Sequence, residues 1–240
     1  MSSGPDRRLW SVVMERAGGG AVTVGHVCAA ITAVTRVDGT AAVLATSATL
    51  RETVYADDET AARVEELTLT LGEGPGVDAV RHEGPVLSAN MAGPDALARW
   101  PVFAPTAVAL GARAVFALPL RIGMIRPGVL TMYRRRAGDL TRVQIADGLA
   151  LADVVCLLLL DQADPASSAA PPGADGIRYP EVHQATGMII VQLGVSAEIA
   201  FARLRAHAFA HDRRLRDVAR DVVGRRLRFN PGGDDYAGGR

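Results

Sequence analysis

The sequence predicts an α+β domain, an antiparallel sheet flanked by helices, followed by an all-α unit of three short helices. Three observations carry that prediction. Apolar residues recur at helical intervals between Val182 and Val223, near the end of the chain. Two β-rich runs, residues 113–120 and 128–133, flank a connection that holds Gly123 and Pro127, which is the pattern of a hairpin. Charge is also divided. Residues 177–229 carry ten Arg against five acids, whereas residues 1–176 carry fifteen against nineteen. A formally neutral chain of 240 residues therefore joins an acidic body to a basic C-terminal unit.

Taken in order, residues 9–16 read as a short amphipathic helix closed by glycines 18–20. Val24, Val27, Cys28 and Ile31 give a second helical face. A turn signal at residues 37–40 precedes two strands, 41–46 and 51–55. Asp57, Asp58 and Glu59 open a helix running to Leu71, because carboxylates suit the positive end of a helix dipole. The glycine-rich stretch at 72–76 lacks the Lys-Ser/Thr of a nucleotide loop, so it reads as a turn feeding a helix, with Pro75 near the first helical position. After the hairpin, a long helix runs from about Leu140 to Asp161. Its expected stripe is Val143, Ala146, Leu149, Ala150, Val154 and Leu157. Helix, hairpin, helices, hairpin, long helix is the α+β order. Residues 163–176, rich in Pro, Ser and Gly, read as an exposed linker.

The three C-terminal helices are read from their stripes. The first presents Val182, Ala185, Ile189 and Leu193 and stops at Gly194. Ser196 caps the second, which presents Phe201, Leu204 and Ala208. The third presents Leu215, Val218, Ala219, Val222 and Val223, and its negative pole is expected to meet Arg225, Arg226 and Arg228. About fifty residues make a small core that gains from a partner.

Composition limits the function classes. The longest apolar run, residues 154–160, is well short of the roughly twenty residues of a membrane span. No export signal is evident at the start, and the two cysteines suggest neither a disulfide framework nor zinc, so the chain is expected in the cytoplasm. His26 and His82 have no ligand partner at metal spacing. His207 and His211 share a helical face without a third ligand, so no metal is expected. Nothing assembles an acid, a base and a nucleophile, so no catalytic residue is expected.

The motifs at Gln184-Ala185-Thr186-Gly187-Met188, Leu193-Gly194-Val195-Ser196, Ala200–Leu204 with Arg205, and Leu215-Arg216-Asp217-Val218-Ala219 resemble the ANTAR domain in order and spacing. The resemblance implies a three-helix RNA-binding module of bacterial transcription antiterminators, which recognise paired stem-loops in nascent RNA. Thr186 stands where many members carry Lys. Upstream, residues 71–79, Trp100 to Phe103, 114–120 and Gly128-Val129-Leu130 resemble a GAF domain more loosely. That resemblance implies a sensor-like domain whose ligand, if any, the sequence does not name. There is no Lys anywhere, so the Asn-Lys-x-Phe-Asp signature of the cyclic-nucleotide group is missing, and neither cysteine has a bilin-attachment context.

The expected organisation is an N-terminal helical extension (1–19), a GAF domain (20–162), a linker (163–176), an ANTAR domain (177–229) and a disordered tail (230–240). Expected phosphate contacts are Arg203, Arg205, Arg213, Arg214, Arg216 and Arg220, since guanidinium groups hold phosphates bidentately and released counterions favour binding. Gln184, Thr186 and His207 are expected at base edges. Two adjacent hairpins call for two copies, so a homodimer is expected, with the long helix as its seam. Three Arg-bearing helices would also suit a regulator of double-stranded DNA, or a module that binds an acidic protein around an unliganded GAF domain. Arginines that merely solvate helix faces would give the same count.

Overall fold

The computed structural model describes residues 7–45, 51–163, 180–230 and 236–237. The chain forms two compact units, the first within residues 1–177 and the second centred on residues 178–240. The expected linker, beyond Ala163, lies outside the described residues.

The first unit runs α1 (Arg7–Ala17), α2 (Val24–Thr35), β1 (Gly39–Ala45), β2 (Arg51–Ala56), α3 (Glu59–Leu71), α4 (Pro75–His82), β3 (Val86–Ser88), α5 (Pro94–Arg99), α6 (Phe103–Ala109), β4 (Ala114–Ile122), β5 (Ile125–Arg134) and α7 (Arg142–Ala163). The strands form one antiparallel sheet in the order β2-β1-β5-β4-β3. Strand periodicity divides the side chains. Phe116, Leu118, Leu120, Leu130 and Met132 join α2 and α7 in one buried core. The alternate residues Val115, Ala117, Val129 and Thr131 are buried too, and α4 packs on β3, β4 and β5. At Gly128 a Cβ would lie 1.8 Å from the Val43 carbonyl oxygen, so the close approach of β1 to β5 there admits only glycine.

Local chemistry sets the helix starts. The Thr23 hydroxyl accepts from His26 N, and His26 Nδ1 accepts from Thr23 N, a reciprocal cap that gives His26 a structural role. Asp58 caps α3 through Ala61 N (2.7 Å) and also accepts from the Tyr133 hydroxyl (2.5 Å). Gly74 and Pro75 open α4, as the sequence predicts. The short β3, α5 and α6 have no counterpart in the sequence reading.

Two expectations change here. The first helix is not an extension: Leu9 and Val13 are buried in the core with α2, and Arg8 donates to Asp147 of α7 at 2.6 Å. The stripe predicted on α7 is split: Val143 is 65% and Leu157 57% exposed, whereas Val154 is buried in the core and Leu149 and Ala150 pack against it. Asp147, Gly148, Leu151, Ala152, Val155, Cys156 and Leu159 also face inward. Most of the 154–160 run is core. By length and composition Arg142–Asp161 would be long and apolar enough to cross a membrane, which the run lengths in the sequence did not suggest. In the fold it packs on α2 and β4.

The second unit holds α8 (Pro180–Leu193), α9 (Ala197–Ala210), α10 (Leu215–Val223), β6 (Leu227–Arg228) and β7 (Tyr236–Ala237). Gly194 stops α8 in the left-handed region (φ 66°), and Ser196 caps α9. The predicted stripes are the core: Val182, Ala185, Ile189, Phe201, Leu204, Ala208, Leu215, Val218, Ala219 and Val222 are all buried. Leu193 and Val223 are only half-buried. Two further expectations change. The helix α10 ends at Val223, so Arg225, Arg226 and Arg228 are not on it. The tail is not wholly without structure, because Tyr236–Ala237 pairs antiparallel with Leu227–Arg228.

Candidate nucleic-acid interface

The predicted interface residues fall into three groups. The first is buried. Thr186 is 4% exposed, and its hydroxyl donates to the Val182 carbonyl (2.8 Å), one turn earlier on α8. His207 is 9% exposed, stacked on His211 at 4.1 Å and edge-on to Phe229 at 5.4 Å. Both were expected at base edges; in this fold both side chains are turned into the unit. No group of three metal-binding side chains occurs among the described residues.

The second group is paired. Arg216 Nε donates to Glu181 Oε1 at 2.8 Å, and Arg220 Nε lies 3.3 Å from the same oxygen. Arg213 and Arg226 both bond Asp221, each at 2.7 Å. Burial pushes the Glu181 carboxyl up, but its backbone N–H and the two guanidinium groups outweigh that and hold it below the usual carboxylate range. The Arg213 hydrogen bond, with Arg226 behind it, holds Asp221 low despite partial burial. Of the arginines expected to grip phosphate, Arg216 and Arg220 tie α10 to α8 through Glu181, and Arg213 ties the turn before α10 to Asp221 on that helix, which Arg226 also reaches from the C-terminal side. Arg205 is half-buried, its guanidinium 5.8 Å over the Phe201 ring.

The third group is open. Gln184 is exposed on α8, Arg214 is exposed at the start of α10, and Arg203 is half-buried on α9. Neither Arg203 nor Arg214 has a carboxylate partner among the described residues. Arg225 and Arg228, which lie outside the interface expected from the sequence, are likewise exposed and without an ion pair among the described residues. With Gln184, Gly187, Met188, Val191 and Gln192 they line an open groove of about 480 Å³. The sequence held one signal for it: Val191, a β-branched residue outside the predicted stripe, is 84% exposed.

In the first unit both cysteines are buried. Burial, helped by the Asp57 carboxylate, pushes the Cys28 thiol up, and burial with Asp153 pushes Cys156 up to about 11. Neither cysteine is a thiolate at neutral pH.

Comparison with known proteins agrees with this division. Residues 180–223 match the family model described as ANTAR domain. No curated protein matches the chain. Among solved structures, the GAF domain of a phosphoenolpyruvate-protein phosphotransferase from Coxiella burnetii aligns with a TM-score of 0.50 at 15% identity, covering 66% of this chain and 96% of that one. The GAF domain of the Acinetobacter phosphoenolpyruvate-protein phosphotransferase gives 0.47 at 10% identity, covering 66% and 97%. The GAF-B domain of DevS from Mycobacterium smegmatis gives 0.40 at 19% identity, covering 57% and 90%. At such identities the likeness speaks to fold alone. The five-stranded antiparallel sheet with its flanking helices is the GAF fold, and residues 180–223 are an ANTAR domain.

Proposed function

We propose that this protein is an RNA-binding regulator of transcription antitermination. In this reading the second unit grips stem-loops in a nascent transcript, and the first senses a signal or joins two copies. The observation that carries it is a matched three-helix domain whose Arg203 and Arg214, together with Arg225 and Arg228 just beyond the match, have no carboxylate partner among the described residues. A hairpin loop offers a curved phosphate backbone and unstacked bases. Unpaired guanidinium groups are available to that backbone without first breaking an internal ion pair, and counterion release adds to the gain. Arg203 and Arg214 are assigned to phosphate, and Gln184, exposed on α8, to a base edge.

Tandem loops require two such units, so we assign a homodimer. Exposed apolar side chains on α7 (Val143, Leu157) and α1 (Trp10, Met14) supply material for its seam. A signal bound by the first unit controls RNA binding only if it favours one assembly state over the other. The site of action is the cytoplasm, where transcripts emerge.

The test is a selection from RNA hairpins with randomised loops using the full chain, followed by gel shifts of the recovered hairpin against duplex DNA at matched salt. Preference for the hairpin supports the reading. Equal or better binding of the duplex overturns it in favour of a DNA-binding regulator.

A further inference from the structure

We infer that the groove between α8 and the turn after α10 is a pocket for one unpaired base of an RNA loop, with Arg225 and Arg228 holding the phosphates on either side. This rests on the RNA-binding reading above. It adds a place and a recognition mode built partly from residues beyond the matched 180–223 segment.

Four features of the groove converge. Part of its lining is apolar where solvent would favour polar side chains: Val191 is 84% exposed and Met188 half-buried beside it. Gly187 opens it. A glycine inside an exposed helix costs about 0.5–1 kcal/mol relative to alanine. Here a Cβ would meet nothing within 4 Å, so packing inside the unit does not demand the glycine. Room for a flat ring on the helix surface does. Gln184, exposed at one end, offers an amide that can donate and accept at a base edge.

The fourth feature is the cationic wall. Arg225 sits in the left-handed region (φ 58°), which non-glycine residues adopt at a cost. Its N–H bonds the Val222 carbonyl (3.0 Å), and Arg226 N bonds the Asp221 carbonyl (2.8 Å). Beyond it the chain alternates: Leu227 and Phe229 are buried, so Arg228 is turned outward. Gln192 Oε1 accepts from Phe229 N at 3.0 Å and pins this segment to α8. Arg226 is drawn to Asp221, so two of the three arginines remain for a ligand. An apolar lining, a missing side chain and two guanidinium groups without a carboxylate partner among the described residues suit an anionic ligand with an aromatic ring, which is a nucleotide of a single-stranded loop.

The experiment uses the full chain and the hairpin recovered by the selection described above. A second RNA has the same stem and backbone with the loop bases removed. Gly187→Leu fills the groove without adding charge and should raise helix propensity, so thermal unfolding reports its integrity. We expect it to weaken binding of the intact hairpin about thirtyfold and to leave binding of the base-free loop unchanged. Arg225→Gly with Arg228→Ala relieves the left-handed strain and should weaken both RNAs about tenfold. If a folded Gly187→Leu protein binds the intact hairpin as the parent does, the base pocket is wrong while the RNA reading survives. The pocket is equally wrong if an acidic peptide binds the parent but not Gly187→Leu, with RNA affinity untouched in both. If the parent shows no preference for hairpin over duplex, the proposal falls with the reading beneath it.

Discussion

Eight arginines of the second unit divide into two populations that look alike in sequence. Arg213, Arg216, Arg220 and Arg226 each meet a carboxylate within 2.7 to 3.3 Å. Arg203, Arg214, Arg225 and Arg228 meet none among the described residues. The first population holds the helices together and contributes less net charge, because Glu181, Asp217 and Asp221 lie among its four arginines. The unit's excess of five positive charges resides largely in the second. Affinity for a polyanion follows charges that neutralise phosphate, not the total count. An arginine-rich helix is therefore not by itself the binding face, and the distinction lies in partners supplied from elsewhere in the chain.

The largest effect should come from breaking the frame that carries both populations. Leu204 is fully buried among the three helices. Leu204→Ala should cost about 2–5 kcal/mol, enough to unfold a small unit and abolish hairpin binding. Both tryptophans, Trp10 and Trp100, lie in the first unit. Their fluorescence transition should stay at the parent's position while helical circular dichroism falls.

A smaller effect separates the populations. Arg203→Ala with Arg214→Ala should weaken the selected hairpin about tenfold and leave the melting temperature nearly unchanged, since Arg214 makes no side-chain cap. Arg216→Ala with Arg220→Ala should do the reverse. We expect affinity within about threefold of the parent and a stability loss of about 1 kcal/mol, as for a half-exposed ion-pair set. Gel shifts and thermal melts on the same preparations check both.

The smallest effect is a pH dependence. Glu181 and Asp221 have lowered folded pKa values, so their contribution is complete above the ordinary carboxylate range. It is lost as pH falls through that range toward the lowered folded values. Acid titration of the second unit's helical signal should show this destabilisation, and Glu181→Gln should flatten part of it.

How much of this was legible in the sequence follows from the range of the interactions. The stripes of α8, α9 and α10, the Ser196 cap and the Gly194 stop are local, and periodicity reads them correctly. The α7 stripe comes out only half right, with Val154 inside and Val143 and Leu157 outside, because that helix is apolar on every side. Its buried face includes Asp147, which is acceptable only because Arg8 reaches it, and Gly148, against which Leu118 packs. Thr186 and His207 read as surface groups because they are polar. Their burial depends on a bond to a carbonyl four residues back and on Phe229, brought in by β6. The Glu181–Arg216 pair spans thirty-five positions, and no local pattern announces it. The turn at Arg225 hides the groove, because a left-handed arginine has no sequence signature of the kind glycine gives.

The central claim is that the unpaired arginines, not the paired ones, engage RNA. Its most direct test is the salt dependence of hairpin affinity for Arg225→Gly/Arg228→Ala beside Arg216→Ala/Arg220→Ala. The account predicts that the first pair lowers the slope of log affinity against log salt by about 1.4, roughly 0.7 for each lost phosphate, while the second leaves the parent slope in place. A lowered slope for Arg216→Ala/Arg220→Ala, with the parent slope retained in the other variant, would contradict it.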